Sequence, residues 1–135
     1  MARVYLDSCV VIYLREGTAE QKARIHERIA KAGAAGNTFS VSELVRFECR
    51  VGPLRRTDAA LLADYDAFFA LPELTFAPLE RAAFDRAVAL RATMGLKTPD
   101  ALHAGAALTS GCDELWTNDG RFAALEPTIR IVLTS

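Results

Sequence analysis

The sequence lacks several features that would assign a protein to a class at once. No apolar run approaches the roughly 18 residues that a membrane-spanning helix needs. The N-terminal segment lacks the layout of a signal peptide, so we expect a cytoplasmic protein without membrane contact. The three cysteines, Cys9, Cys49 and Cys112, stand far apart, and the chain has only 2 histidines. This spacing argues against a zinc site and favours free thiols.

An excess of positive charge is also missing. The net charge is −1, which argues against a broad electrostatic attraction to nucleic acid. The positive charges are nevertheless 13 arginines against 3 lysines, and arginine binds phosphate through two parallel hydrogen bonds. Two interpretations stay open: an ordinary mixed surface, which the composition favours, and a local arginine patch that binds a nucleic-acid backbone.

The chain does contain the material for a core. It has 135 residues, of which 51% are hydrophobic and 24% charged, as expected for one globular domain. Short β-like runs alternate with helical patterns along its length. We predict strands over 3–6, 37–42, 73–79, 114–117 and 128–133, and helices over 8–16, 18–36, 43–52, 57–72, 80–95, 98–111 and 120–125. This alternation predicts an α/β fold, with a mainly parallel sheet of about five strands between helices.

Local signals set several helix boundaries. Thr18 and Gln21 have the identities and spacing of a capping box at the start of the second helix. For two other helices we predict a hydroxyl side chain as the cap: Ser8 in "LDSCVVIYL" and Thr98 in "KTPDALHAG". Pro99 would then occupy the first helical position, where a missing N–H costs nothing.

Three aspartates are placed where a parallel sheet binds ligands, beyond the carboxyl ends of its strands. Asp7 follows the first predicted strand, and Asp119 follows the fourth. Asp100 lies in the first turn of the helix "TPDALHAGAAL". Each one alone has an ordinary explanation, as a helix cap, as part of an Asp-Gly turn, or as an anion at a helix N-terminus.

Glu48 is harder to explain by structure alone. On a helix its neighbours at i−4, i−3 and i+3 are Leu44, Val45 and Val51, which places its side chain on the apolar stripe. A carboxylate there needs a partner, and no lysine or arginine lies on that stripe within one turn. Glu43 falls on the other side of the helix and is explained as a first-turn acid with arginine neighbours.

Four carboxylates at one sheet edge, without adjacent bases, would repel one another. Two charges about 4 Å apart cost about 4 kcal/mol at an effective dielectric constant of about 20. A divalent cation removes that cost, and oxygen ligands suit Mg²⁺ or Mn²⁺. An acidic cluster of this kind is typical of phosphoryl-transfer sites.

The segments "VYLDSCVVIYL", "SVSELVRFECRVG", "TPDALHAGAAL" and "LWTNDGRF", in this order, resemble PIN domains, in particular the VapC-type toxins of bacterial toxin–antitoxin pairs. The resemblance covers almost the whole chain and implies a single PIN-like domain over 1–135, a three-layer α/β/α sandwich. It implies an endoribonuclease that depends on Mg²⁺ or Mn²⁺, in which metal-activated water attacks the RNA phosphodiester and leaves a 5′-phosphate. It also implies a homodimer and a small VapB-like antitoxin that offers a basic side chain to the carboxylates.

The resemblance also assigns residues by position. The catalytic acids are Asp7, Glu48, Asp100 and Asp119, and the metal ligands among them are Asp7, Asp100 and Asp119. Ser8 and Asn118 match polar positions that support such a site. The candidates for contacts with the RNA backbone flank the acidic elements: Arg46, Arg50, Arg55, Arg56 and Arg121.

For His103 and Trp116 we expect a structural role. We expect His103 to be a packed or hydrogen-bonding helix residue and not a general base, because the water is activated on the metal. We expect Trp116 to be part of the core and not a platform for stacking bases.

Two alternative functions remain. The first is a PIN fold that only binds a partner and has no catalytic activity. The second is a receiver-like signalling domain, which needs paired acids after the first strand and a lysine at the end of a late strand. The stretch "YLDSCVV" contains one acid, and no such lysine is present.

Overall fold

A sheet of five parallel strands forms the centre of the computed structural model, which describes residues 1–134. The strands are β1 (Arg3–Leu6), β2 (Thr38–Val41), β3 (Leu74–Phe76), β4 (Glu114–Thr117) and β5 (Arg130–Leu133). Their order across the sheet is β3-β2-β1-β4-β5, and every neighbouring pair runs parallel. The predicted α/β fold with a parallel sheet is confirmed.

Helices connect the strands and cover both faces of the sheet. They are α1 (Ser8–Glu16), α2 (Ala19–Ala34), α3 (Glu43–Arg55), α4 (Ala59–Phe69), α5 (Arg81–Met94) and α6 (Thr98–Thr109), with a 3₁₀ helix over Gly120–Leu125. Right-handed crossovers put the helices after β1 and those after β3 on opposite faces, because the chain moves in opposite directions across the sheet. Within residues 1–134, no helix has both the length and the hydropathy needed to cross a bilayer.

Two predicted helix caps are wrong. Asp7, and not Ser8, caps α1: its carboxylate accepts the Ser8 backbone N–H at 2.8 Å, and Ser8 is the first helical residue. Helix α6 begins at Thr98 with Lys97 as the capping residue, so Pro99 takes the second helical position. In both cases the helix begins one residue from the place that the side-chain pattern indicated. The capping box of Thr18 and Gln21 is confirmed.

Helix α3 is longer than predicted, and its buried face differs from the predicted apolar stripe. The helix continues past Gly52 and ends at Arg55, with Pro53 buried in its last turn. Val45 is fully buried, but Val51, expected on the core side, is 36% exposed. The buried face of α3 therefore runs through Val45, Cys49 and Pro53 and leaves Val51 at its edge.

The centre of the core is β1, which has a strand on each side. Tyr5 of β1 lies opposite Ser40 on β2 and Leu115 on β4, and the side chains of Tyr5 and Leu115 are fully buried. Trp116 is 4% exposed and meets Phe39 edge-on, with ring centroids 5.6 Å apart, which confirms it as a core residue.

The strand order also decides one alternative function. The chain leaves β1 toward β2 on one side and returns to β4 on the other, so the order reverses between β1 and β4. Such a reversal creates a crevice at the carboxyl ends of the strands, where open α/β sheets bind ligands. Receiver domains have the order 2-1-3-4-5, which this sheet does not have. The receiver-like alternative is therefore wrong.

A close contact between α5 and α6 sets the position of α6. Gly105 lies against α5, and a Cβ atom built on it would be 2.5 Å from the carbonyl oxygen of Ala83 and 3.3 Å from Cβ of Ala87. Only a residue without a side chain permits this approach. Because α6 also carries Asp100 and His103, the contact helps to set the position of these two residues.

We expect Gly105→Ala to lower the free energy of unfolding by about 1–3 kcal/mol, because the added methyl group pushes α6 away from a backbone carbonyl. Gly33→Ala on α2 is the matched control, since no heavy atom lies within 4 Å of a Cβ built there. That control should gain roughly 0.5–1 kcal/mol from the better helix propensity of alanine. Urea denaturation of both variants measures the difference, and a Gly105→Ala protein as stable as wild type would contradict this account of the packing.

Candidate active site

Asp7 is the buried carboxylate at the reversal point between β1 and β4. Its side chain is held from both sides: Oδ1 accepts the Ser8 N–H, and Oδ2 accepts the hydroxyl of Thr117 at 2.8 Å. The thiol of Cys9 also donates to Oδ2 at 3.3 Å. The residue is only 6% exposed, so these donors replace water around a charge that would otherwise be costly to bury. Burial raises the pKa of the Cys9 thiol to about 12, and the nearby charge of Asp7 is the second cause of this increase.

Glu48 reaches the same place from α3. Its Oε1 accepts hydrogen bonds from the hydroxyl of Ser8 at 2.7 Å and from Nε2 of His103 at 2.6 Å. The side chain is 29% exposed. Partial burial alone would raise the pKa of Glu48, but the hydrogen bonds from His103 and Ser8, and the attraction of His103, lower it overall. Glu48 is therefore an anion at neutral pH.

His103 lies beside two of the acids, Glu48 and Asp7, and the sequence did not indicate either contact. It is 1% exposed and lies on α6, one turn after Asp100. Nε2 faces Glu48 and is also 3.6 Å from Oδ1 of Asp7, while Nδ1 bonds to the hydroxyl of Tyr5 at 2.8 Å. The prediction of a packed, hydrogen-bonding residue is confirmed, and burial prevents the ring from touching a substrate.

Asp119 caps the 3₁₀ helix that follows β4. Its carboxylate accepts a hydrogen bond from the backbone N–H of Arg121 at 3.0 Å and forms an ion pair with the guanidinium of the same residue. These hydrogen bonds from Arg121 lower the pKa of Asp119. The expectation of four acids without adjacent bases is thus wrong, because Asp119 has Arg121 and Glu48 has His103.

Asp100, in the first turn of α6, is the acid with the least support. Its ion-pair contact is the guanidinium of Arg121 at 4.0 Å. Burial raises the pKa of Asp100; Arg121 offsets this in part, while the charges of Asp7 and Asp119 add to it. These influences show that Asp100 shares one electrostatic environment with the other two aspartates. A cation nearby would stabilise its ionised form.

The structure brings all four predicted acids together, in two pairs. Asp7 and Glu48 are joined by Ser8 and His103, while Asp100 and Asp119 are joined by Arg121. The two predicted supporting residues, Ser8 and Asn118, make different kinds of contact. Ser8 bonds Glu48 through its hydroxyl, whereas the contact of Asn118 is made by its backbone N–H, which donates to the Cys9 sulfur at 3.4 Å.

Sequence reasoning missed two groups that hold Asp7, the hydroxyl of Thr117 and the thiol of Cys9. Thr117 ends β4, and its hydroxyl also accepts the backbone N–H of Asp119 at 3.0 Å. Its position before "NDG" was a signal, because a residue that ends the neighbouring strand faces the same crevice. Nothing in the local pattern indicated Cys9.

Four of the five arginines proposed for RNA contacts are already paired with acids. Arg46 contacts Glu43, Arg50 contacts Asp66, Arg56 contacts Glu16, and Arg121 contacts Asp119. Arg55 is exposed near the end of α3. In this part of the molecule, charge is therefore largely neutralised at the surface and does not form one open basic patch.

The donor set fits a hard divalent cation in type but is not closed around one. Within residues 1–134, no three His, Cys, Asp or Glu side chains approach closely enough to form a ready-made metal site. All the converging acids present carboxylate oxygens, the ligands preferred by Mg²⁺ and Mn²⁺. Burial, and after it the charges of Asp7 and Asp119, raise the pKa of Asp100, and a cation nearby would stabilise its ionised form.

Comparisons with known proteins agree with this fold. A model of the PIN domain family matches residues 4–126. No curated protein sequence matches the chain.

Three solved structures share the fold at low identity. VapBC2 from Rickettsia felis, bound to a DNA fragment from the promoter, has a TM-score of 0.81 and 17% identity, and the match covers 98% of this chain and 99% of that one. DNA-bound VapBC from Salmonella typhimurium has a TM-score of 0.73 and 20% identity over 100% of both chains. VapC20 from Mycobacterium tuberculosis, a Sarcin-Ricin loop cleaving toxin, has a TM-score of 0.71 and 14% identity over 90% of this chain and 93% of that one. With its family match, its parallel sheet and its acids at the strand ends, this chain belongs to the PIN domain family.

Proposed function

We propose that this protein is a metal-dependent endoribonuclease, the VapC-type toxin of a toxin–antitoxin pair. The observation that carries the proposal is the convergence of Asp7, Glu48, Asp100 and Asp119 at the strand-order reversal of a PIN domain. The names of the structural neighbours support it, since two are VapBC complexes and one is a toxin that cleaves an RNA loop. A PIN fold that only binds a partner is the alternative, and the retention of all four acids argues against it.

Asp7, Asp100 and Asp119 are the residues that would hold Mg²⁺ or Mn²⁺. When bound, the cation supplies positive charge to the scissile phosphate and lowers the pKa of water. Asp7 is prepared for this role, because Ser8, Thr117 and Cys9 fix its carboxylate before any ligand arrives. The guanidinium of Arg121 neutralises part of the negative charge of Asp119 and Asp100. When a cation binds, this guanidinium must move away or contact the carboxylates together with the cation.

In this proposal, Glu48 orients the attacking water and accepts its proton. Both of its hydrogen bonds go to Oε1, which leaves Oε2 for a water molecule. The lowered pKa keeps the carboxylate ionised, as a base must be at neutral pH. Ser8 links this base to Asp7, since its hydroxyl bonds Glu48 while its backbone N–H bonds Asp7.

The partners follow from the same electrostatics. Asp119 already binds the guanidinium of Arg121, and Asp100 lies 4.0 Å from it, so the site accommodates a basic side chain. This supports neutralisation by a VapB-like antitoxin that offers such a side chain to the carboxylates. We further propose a homodimer and a cytoplasmic location. The RNA backbone would be contacted by Arg55 and by those of Arg46, Arg50, Arg56 and Arg121 that exchange an acid for a phosphate.

The first prediction concerns the proposed metal ligands. Asp7→Asn and Asp100→Asn should each lower Mn²⁺-dependent RNA cleavage by at least about 100-fold, because a metal contribution of several kcal/mol is lost and about 1.4 kcal/mol is tenfold in rate. The circular dichroism spectrum should stay native. Asp85→Asn, an exposed acid on α5, is the control and should cleave like wild type. Undiminished cleavage by Asp7→Asn would contradict the assignment.

The second prediction separates two glutamates of α3. Glu48→Gln should lose at least about 100-fold in cleavage rate, since the amide is no base. Glu43→Gln should stay within about threefold of wild type, because Glu43 is exposed and only pairs with Arg46 at 3.4 Å, a contact of small energy. Initial rates on the same RNA measure both variants. The reverse ranking would show that the wrong acid was placed in the site.

The third prediction concerns pH and follows from the raised pKa of Asp100. A carboxyl group whose pKa is higher in the folded state makes the fold less stable as pH rises through that pKa. Without metal, Asp100→Asn should therefore be more stable than wild type at pH 7.5, and this advantage should shrink toward pH 4.5. Urea denaturation in EDTA at the two pH values measures it, and a larger advantage at pH 4.5 would contradict the linkage.

The same samples test the cation. At about 100 times its dissociation constant, Mn²⁺ should add about 2.7 kcal/mol to the unfolding free energy of wild type. Asp100→Asn should gain less, because it contributes no charge to the site. Equal gains in the two proteins would remove Asp100 from the metal ligands.

A further inference from the structure

A buried series of polar side chains ends on Glu48. The hydroxyls of Ser42 and Tyr5 are 2.7 Å apart, the Tyr5 hydroxyl is 2.8 Å from Nδ1 of His103, and Nε2 of His103 is 2.6 Å from Oε1 of Glu48. Ser42, Tyr5 and His103 are all essentially inaccessible to solvent. The series connects three elements, since Tyr5 lies on β1, His103 on α6, and both Ser42, the N-cap residue, and Glu48 belong to α3.

When the His103 ring carries a single N–H, the hydrogens along the series have one consistent order. A carboxylate only accepts, so Nε2 of His103 carries a hydrogen and donates it to Glu48. Nδ1 then accepts from the Tyr5 hydroxyl, and Tyr5 accepts from Ser42. Burial raises the pKa of Tyr5, which keeps its hydroxyl a donor. Among the described residues, no buried side-chain nitrogen or oxygen is left without a hydrogen-bond partner.

Glu48 needs such support because it is a long side chain close to another charge. Nε2 of His103 lies 3.6 Å from Asp7 Oδ1 as well as 2.6 Å from Glu48, so its N–H is placed against both carboxylates. Without that N–H, the two like charges would repel more strongly, and Glu48, already 29% exposed, would turn toward water.

We propose that His103 is a positioning residue for the reaction: its Nε2–H holds Glu48 in the catalytic orientation, and Tyr5 and Ser42 fix the tautomer and angle of the ring. The inference rests on the proposed role of Glu48. His103 is buried and touches no substrate, so it acts only through Glu48. Partners of this kind, one contact removed from the reacting atoms, typically contribute 10- to 100-fold in activity when they orient a site.

Two substitutions of His103 distinguish the effect of its hydrogen bond to Glu48 from the effect of its packing. His103→Leu fills the space without a donor, whereas His103→Gln places an amide N–H three bonds from Cβ, as far along the side chain as Nε2. We expect His103→Leu to lower kcat/KM for a pool of random single-stranded RNA in Mn²⁺ by about 10- to 100-fold, mostly in kcat. His103→Gln should recover to within about fivefold of wild type, since it restores the donor. A His103→Leu enzyme with wild-type kcat, or a His103→Gln enzyme as slow as His103→Leu, would overturn the proposal.

Tyr5→Phe tests the rest of the series, because it removes one hydroxyl and leaves His103 in place. It should lower kcat by about 10-fold, the lower end for such a partner. Tyr65→Phe is the matched control: Tyr65 is also buried, and its hydroxyl donates to Glu16, away from the acids. The control should lose stability but keep kcat. Equal effects of the two substitutions on kcat would show that only general stability matters.

A spectroscopic measurement decides the point even if a His103 variant fails to fold. Nitrogen-15 NMR of the wild-type protein reports the hydrogens of two imidazole rings, and exposed His26 serves as the reference. A hydrogen on Nε2 of His103 would support the proposal, and a bare Nε2 would overturn it. The measurement needs no RNA. If wild type cleaves no RNA with Mn²⁺, the proposed function fails by itself; if wild type cleaves and His103→Leu does so equally well, only this inference fails.

Discussion

The burial of the Asp7 carboxylate is the constraint on which the site depends. A charge at the end of the central strand is stable only if hydrogen-bond donors replace its water. These donors come from α1, through the Ser8 amide and the Cys9 thiol, and from β4, through the Thr117 hydroxyl. The requirement therefore ties the start of α1 and the end of β4 to one point. The charge lies at the crevice that the reversal of strand order creates between β1 and β4.

The other three acids differ in how their negative charge is compensated. Glu48 and Asp119 each have a basic partner, His103 and Arg121, and hydrogen bonds from these partners lower the pKa of both carboxyls. Asp100 has only a distant guanidinium, and its pKa is raised. The negative charge of the site is thus unevenly compensated. Asp100 is the acid without a close basic partner, and its burial adds to the benefit that it would draw from a cation.

The site also depends on packing that involves no charge. Helix α6 approaches α5 closely at Gly105, and several of its small residues, including Ala104 and Ala107, are fully buried. This approach brings His103 within hydrogen-bonding distance of Tyr5, in the middle of the core. A polar series inside a core is favourable only when every member is satisfied. The fit of α6 against its neighbours therefore sets both the stability of the series and the position of Glu48.

The sequence by itself determined the alternation of strands and helices, the parallel sheet and the placement of acids at its edge, because these follow from periodicity and from which residues end each strand. It also indicated that Glu48 faces inward, since the neighbours one turn away are apolar. The tertiary structure decided which groups neutralise those acids. Glu48 meets His103 across 55 residues of sequence, and Asp7 meets Thr117 across 110. Local patterns carry no information on such distant pairs, because the pairs exist only once the strand order and the contact between α5 and α6 have brought the elements together.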